Sequence, residues 1–352
     1  MQNKSGIARL VGVFLICTVL LGYNIYGMVL NGTVESVAAT TPQVSDISAE
    51  SEVETPEPET KSEPIQDSTP ASSAEQSGGE SVAASTSGNV KGKIISNFIS
   101  PYKAGLSYDK VFVKNSSGLE IDIKSFLEAP LSFKIQKSDA PEVLIMHTHT
   151  TETYMTEDTD CYTDAFSPRT RDTEKNMVSV GNIVADKLNA AGIKTLHNTT
   201  EHDYPKYTGS YTRAAKTING YLKKYPSIKI VLDLHRDAVA SGESDKVKLV
   251  TEIDGKKAAQ VMLVMGSQSG SVTNFPDWQE NFKLAVRLQK VLETNYPTLA
   301  RPISLTSNNY NESLTKGSLL IEFGTDANTV EEAHYSAQMV GDALAELMNS
   351  IT

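Results

Sequence analysis

The segment Val143-Leu-Ile-Met-His-Thr-His-Thr-Thr-Glu152 restricts the fold more than any other part of the chain. An apolar run stops abruptly at two histidines, then at hydroxyls and a carboxylate. A strand that is apolar at every position is buried on both faces, as in a parallel sheet covered by helices. Such sheets bind their ligands at the carboxyl ends of the strands. Ile228-Lys-Ile-Val-Leu-Asp-Leu-His235 repeats the pattern, again ending in histidine. Between the two, Asp172-Thr-Glu-Lys-Asn176 opens a helix whose apolar positions are Met177, Val180, Val184 and Leu188, closed by Ala190-Ala-Gly192. A short strand, Ile193–Leu196, and a second helix, Thr212–Lys223, follow. Strand, helix, strand, helix in this order places the two histidine-terminated ends side by side. The expected class is therefore α/β, a central, mostly parallel sheet with helices on both faces.

The rest of the folded part carries simpler signals. Lys110-Val-Phe-Val-Lys114 and Leu119-Glu-Ile-Asp-Ile-Lys124, split by Asn115-Ser-Ser-Gly118, predict a hairpin. Residues 153–173 are polar and irregular, a surface loop beside the first strand end. Val247–Ile253 and Ala259–Met265 form a second hairpin across Asp254-Gly255. Trp278–Leu292 and Thr329–Met348 are amphipathic helices, and Ser318-Leu-Leu-Ile-Glu-Phe-Gly324 is a last strand with Glu322 near its carboxyl end.

The first quarter of the chain cannot join that core. Lys4 and Arg9 precede Leu10–Leu30, a largely apolar stretch. As a helix it would span about 31 Å, the thickness of a bilayer core. With the positive residues on its N-terminal side, that side stays in the cytoplasm and the remainder is exported. Met28-Val-Leu-Asn-Gly-Thr33 is a poor cleavage site, so residues 1–31 are expected to form an uncleaved, single-pass membrane anchor. Residues 32–90 are Ser, Thr, Glu, Pro and Ala with eleven carboxylates and one lysine, a disordered spacer of about 40–45 Å. That spacer holds nearly all of the net charge of −11, so the acidity says little about what the domain at 91–352 binds. The exported part has a single cysteine, Cys161, which excludes an intramolecular disulfide there. No basic stripe or nucleic-acid motif is present.

Neutral imidazole is the commonest metal ligand, and a zinc hydrolase needs three protein ligands, an open position and a carboxylate for protons. Candidates are His147 or His149, Glu174, His235 and Glu322, all at strand ends or a helix start. In an extended strand, alternation puts His147 and His149 on the same face, so both stay open as the first ligand. Each residue also has a plain structural explanation. A strand-end histidine can simply bond a loop, Glu174 suits the positive end of a helix, and Glu322 can pair with Arg236 or Arg171.

In order along the chain, His149, Glu174-Lys-Asn176, Asp233-Leu-His235 and Ile321-Glu-Phe-Gly324 resemble the motifs of the zinc-dependent N-acetylmuramoyl-L-alanine amidases. Leu144-Ile-Met-His-Thr-His-Thr-Thr-Glu152, Arg171-Asp-Thr-Glu-Lys-Asn176, His202-Asp-Tyr-Pro205 and Leu232-Asp-Leu-His-Arg-Asp237 bring the resemblance nearer to one branch, the membrane-anchored cell-wall hydrolases of endospore-forming bacteria. It covers roughly 100–345. The resemblance implies Zn2+ held by His149, Glu174 and His235, with Glu322 catalytic. It implies cleavage of the muramoyl–alanine amide of peptidoglycan during sporulation, and the branch is also credited with cutting stem-peptide crosslinks. Stage II sporulation proteins D and M are the implied partners. The family has glycines around its first histidine where this chain has His147-Thr-His149, and aligning the strand ends selects His149. A different resemblance, His149-Thr-Thr-Glu152 to the His-x-x-Glu of zinc carboxypeptidases, makes Glu152 the carboxylate ligand instead. A third reading is a wall-binding scaffold without metal, which needs a non-ligand residue at a ligand position, and none is present.

Overall fold

The computed structural model describes residues 88–352. The expected anchor and most of the spacer lie outside the described residues. Among those described, no helix is long and apolar enough to cross a membrane. Along the chain come β1 (Val90–Asn97), β2 (Leu106–Tyr108), β3 (Val111–Asn115), α1 (Ile123–Glu128), β4 (Val143–Met146), β5 (Cys161–Thr163), α2 (Met177–Ala190), β6 (Thr195–His197), α3 (Ser210–Lys224), β7 (Ile230–Asp237), β8 (Ala240–Ser241), β9 (Asp245–Ile253), β10 (Lys256–Ala259), β11 (Val261–Met265), α4 (Trp278–Asn295), β12 (Ile303–Leu305), β13 (Ser318–Thr325) and α5 (Val330–Ser350).

Eight strands form the main sheet in the order β2-β3-β12-β11-β13-β7-β4-β6. Most neighbours are parallel, as the apolar runs require, but the sheet has two halves. β13, β7, β4 and β6 run one way, β3, β12 and β11 the other, and the halves meet at the antiparallel pair β11·β13. Only the first half therefore sends the ends of β4, β7 and β13 to one edge. Both faces are covered. Val143, Ile145, Leu232 and Leu234 pack into the larger core with α2, α4 and α5, while Leu144, Met146 and Val231 pack with Ala214 and Ile218 of α3. Alternate side chains of one strand go to opposite faces, which is why β4 is apolar throughout.

A second sheet, β10-β9-β1-β5 with β8 on β9, was not evident from the sequence. The Asp254-Gly255 turn forms, with φ of 49° and 73°. Its second strand is nevertheless divided at Gln260, so that β10 stays with β9 while β11 enters the main sheet. Gln260 itself is pinned to Ile99 and Thr298 through its side-chain amide.

The first expected hairpin does not form. β3 pairs with β2 through Asp109-Lys110, both at positive φ, and not with residues 119–124. Asn115 instead accepts from the Ser117 amide and donates to Leu119, and Asp122 caps α1 by accepting from Lys124. Local capping wins over the weak alternation there. α2 begins later than expected because Asn176, whose side chain accepts from Val178, is the cap. Residues 172–175 are left as a turn outside the helix. α5 opens with the capping box Thr329/Glu332.

β1 ties the irregular segment 153–170 to the small sheet. It pairs with β5 and β9, and Ile94 donates to Asp160 at 2.8 Å. The buried apolar core of the described residues starts at Ile94. A chain starting at residue 88 is expected to fold as a soluble domain. One starting at residue 98 is expected to be less stable by about 2–4 kcal/mol, the order of one buried isoleucine and a few ladder bonds. It should also be cut faster by trypsin at Arg169 and Lys175. Equal melting and equal cleavage of the two chains would rule out this role for β1.

Candidate active site

β4 stops at Met146 and the chain turns at once, so strand alternation does not reach His149. Asp233 fixes the turn by accepting from the Thr148 amide at 2.8 Å and the Thr148 hydroxyl at 2.6 Å. His147 is driven inward. Its Nδ1 lies 2.9 Å from the Leu234 carbonyl, and its Nε2 lies 2.8 Å from Nε2 of His197. Burial pushes His147 down to about 3 and His197 to about 4, so both rings are neutral and one donates to the other. A Cβ at Gly181 of α2 would collide with both rings, which is why a glycine faces them. His147 is thus a brace inside the fold.

His149 goes the other way. Its ring meets that of His235 edge to face, with centroids 5.2 Å apart, and Tyr207 stacks on it at 4.6 Å. Tyr211 closes a further side, with its own phenol pushed up by burial. Nδ1 of His149 is buried without a partner. Burial pushes this ring down to about 4, only partly offset by Glu152, so it is an unprotonated donor at neutral pH.

His235 sits inside β7 between two buried carboxylates. Asp233 Oδ1 is 2.9 Å from its Nε2, and Glu152 Oε2 is 3.6 Å from its Nδ1. Burial alone would favour the neutral ring, but Asp233 and Glu152 outweigh it and hold His235 well above the usual imidazole range. Glu152 is likewise resisted by burial yet held below the usual carboxylate range by His235 and Arg236. The Arg236 amide donates to it at 3.2 Å, and Arg169 Nη2 stands 3.6 Å from its other oxygen. Arg169 also pairs with Asp203 and lies 4.7 Å over the Tyr207 ring.

Glu322 is the register partner of His235 across β13·β7. Its Oε2 is buried without a partner, and burial pushes the carboxyl up to about 8. The pairings expected from a purely structural role are absent. Arg236 bonds the Thr153 and Pro168 carbonyls, and Arg171 pairs with Glu201. Glu174 stands apart from the cluster. Its side chain is exposed on the turn before α2, and its amide donates to Asp172. The structure therefore brings His149, His235 and Glu322 together with Glu152, and leaves out Glu174 and His147.

Two imidazoles and one glutamate are a usual donor set for catalytic zinc. Donors each about 2.0–2.1 Å from one metal stand roughly 3.4 Å apart across a tetrahedral angle, close to the 3.6 Å between His235 Nδ1 and Glu152 Oε2. The buried, partnerless Nδ1 of His149 suits the third position. Asp233 behind Nε2 of His235 is the kind of outer carboxylate that orients a ligating ring. The donor chemistry fits a divalent metal. The set is not closed, since no three such side chains among the described residues are assembled around a common point. Sequence reasoning did not assign Arg169, Asp203, Tyr207 or Tyr211. Asp233 was visible only as part of a motif, although its place two residues before His235 puts it on the same strand face.

The family model for stage II sporulation protein P matches residues 19–345. Stage II sporulation protein P of Bacillus subtilis (strain 168) is 29% identical over 223 residues, which is 59% of this chain and 51% of that protein. The chain thus matches only about half the length of that relative. Solved structures with some likeness include the CwlD amidase of Clostridioides difficile in complex with the GerS lipoprotein. It has a TM-score of 0.39 and 9% identity, over 59% of this chain and 99% of that one. An N-acetylmuramoyl-L-alanine amidase of Clostridium difficile 630 gives 0.37 and 17%, over 60% and 97%. Likeness that low carries no weight for the site. The match to the family model covers most of the sequence, and the chain belongs to the stage II sporulation protein P family.

Proposed function

We propose that this chain is a peptidoglycan hydrolase of sporulation that cleaves the amide between N-acetylmuramic acid and L-alanine. The observation that carries the reading is the meeting of His149, Glu152 and His235 at one sheet edge, with Nδ1 of His149 buried without a partner and Nδ1 of His235 3.6 Å from Glu152. These three residues would hold Zn2+. Zinc, when bound, supplies a Lewis acid that makes water nucleophilic near neutrality. Asp233 orients His235, and Arg169 with the Arg236 amide orients Glu152. The charge of a bound metal would favour the ionised form of Glu322, which would then take the proton from the attacking water and deliver it to the leaving amine. Tyr207 and Tyr211 wall off the His149 side and limit competing water. The reading extends to anchoring by residues 10–30 and to partnership with stage II sporulation proteins D and M, on the strength of resemblance and family.

The geometry around Glu152 also favours a second reading. A His-x-x-Glu pair is the ligand spacing of zinc carboxypeptidases, and such an enzyme would trim stem peptides. Product analysis separates the two. Freed lactyl groups on intact glycan indicate the amidase, and free D-alanine the carboxypeptidase.

Residues 88–352, incubated with purified peptidoglycan, are expected to contain about one zinc per chain and to lose activity in a chelator. Zinc should restore it. Activity that survives complete metal removal would defeat the metal-dependent reading.

A further inference from the structure

A cavity of about 430 Å³ opens beside the candidate site, walled by the segment 153–170 and Lys175. Its lining begins at Thr153, the residue after Glu152, and Arg169 stands at its threshold. Arg169 lines this cavity and also stands 3.6 Å from Glu152, so that one side chain links the cavity to the candidate site. That volume is within the range of small-ligand pockets. The walls combine six Ser and Thr hydroxyls, the aromatic pair Tyr162 and Phe166, two cations and one carboxylate, Glu157.

Building on the hydrolase reading above, we propose that this cavity seats the peptide arm of the substrate, and that Lys175 is the specificity residue that reads a free carboxylate on it. The two cations are not equivalent. Arg169 is committed to Asp203 and Glu152, whose side chains are nearly inaccessible. Lys175 is bonded to Asp172 at 2.8 Å, and both of those side chains are substantially exposed. Exposed pairs of this kind add little, so Lys175 can exchange Asp172 for a ligand carboxylate. Threonine hydroxyls suit peptide amides, and Tyr162 with Phe166 suits short apolar side chains. A peptide with acidic groups matches all three chemistries, whereas a neutral saccharide leaves the cations unused.

The test is binding of two synthetic stem peptides to the full chain by titration calorimetry, one with free carboxylates and one with every carboxylate amidated. The wild type is expected to bind the acidic peptide about tenfold more tightly, the order of one charge-assisted contact. Lys175→Gln should abolish that preference and leave affinity for the amidated peptide unchanged, which also reports an intact fold. Equal affinities in the wild type, or a preference that survives Lys175→Gln, would overturn the proposal. Tighter binding of an uncharged saccharide than of either peptide would overturn it as well. Binding is read without turnover. A chain that binds the acidic peptide but leaves the wall intact defeats the hydrolase reading alone, and one that cuts wall material without the preference defeats only the subsite.

Discussion

Glu322→Gln is expected to lower turnover on peptidoglycan by about 10²–10⁴-fold, the range for loss of a general base, with zinc content unchanged. The amide keeps the size of the carboxyl and cannot accept the water proton. Structure sharpens the contrast with a merely structural carboxylate, because neither Arg236 nor Arg171 pairs with Glu322 and its Oε2 is buried alone. Removing its charge therefore breaks no ion pair. In the metal-free chain the sign can be worked out from the carboxyl raised from 4.5 to about 8. A raised acid holds its proton more tightly when folded, so its ionisation costs stability as pH climbs from the lower value to the higher. Glu322→Gln should thus melt no lower than the wild type at pH 8. A variant with normal zinc and normal turnover would remove Glu322 from the mechanism, and a variant that melts well below the wild type would make its role structural.

The other large effect distinguishes two carboxylates. Glu152→Gln is expected to weaken zinc binding by more than the roughly 10–100-fold that loss of an outer partner costs, with activity falling in step. Glu174→Gln, on an exposed turn, should leave zinc content and activity unchanged and stability within about 0.5 kcal/mol. Zinc retained after dialysis against a calibrated chelator measures both variants. The reverse result, metal lost from the Glu174 variant and kept by the Glu152 variant, would restore the ligand set implied by the amidase resemblance. It would also require the 172–175 turn to fold over the site.

Much of the architecture was legible because it rests on local pattern. Uninterrupted apolar runs at 143–146 and 230–232 require burial on both faces, and helical spacing in 177–188 and 330–348 supplies the cover. The small sheet was illegible for a related reason. β1 is mostly exposed, β5 is only three residues long, and the two are joined only by long-range pairing, so no periodicity marks them. The division of β10 from β11 depends on what holds Gln260, which is residues far away in sequence.

For the site, the sequence by itself determined which chemistry is available: His149, His235 and Glu322 come at the ends of neighbouring strands, and a parallel sheet must bring such ends to one edge. It did not determine which neighbours complete them. Strand alternation left His147 and His149 equivalent, and only the turn fixed by Asp233 sends one inward to His197 and the other out to His235. Which carboxylate lies beside His235 is set in the same way: residues 172–175 stay in a turn outside α2, while Arg169 and the Arg236 amide hold Glu152 against His235. Side-chain direction at a strand end is set by contacts across the sheet. Those contacts exist only once the chain has folded.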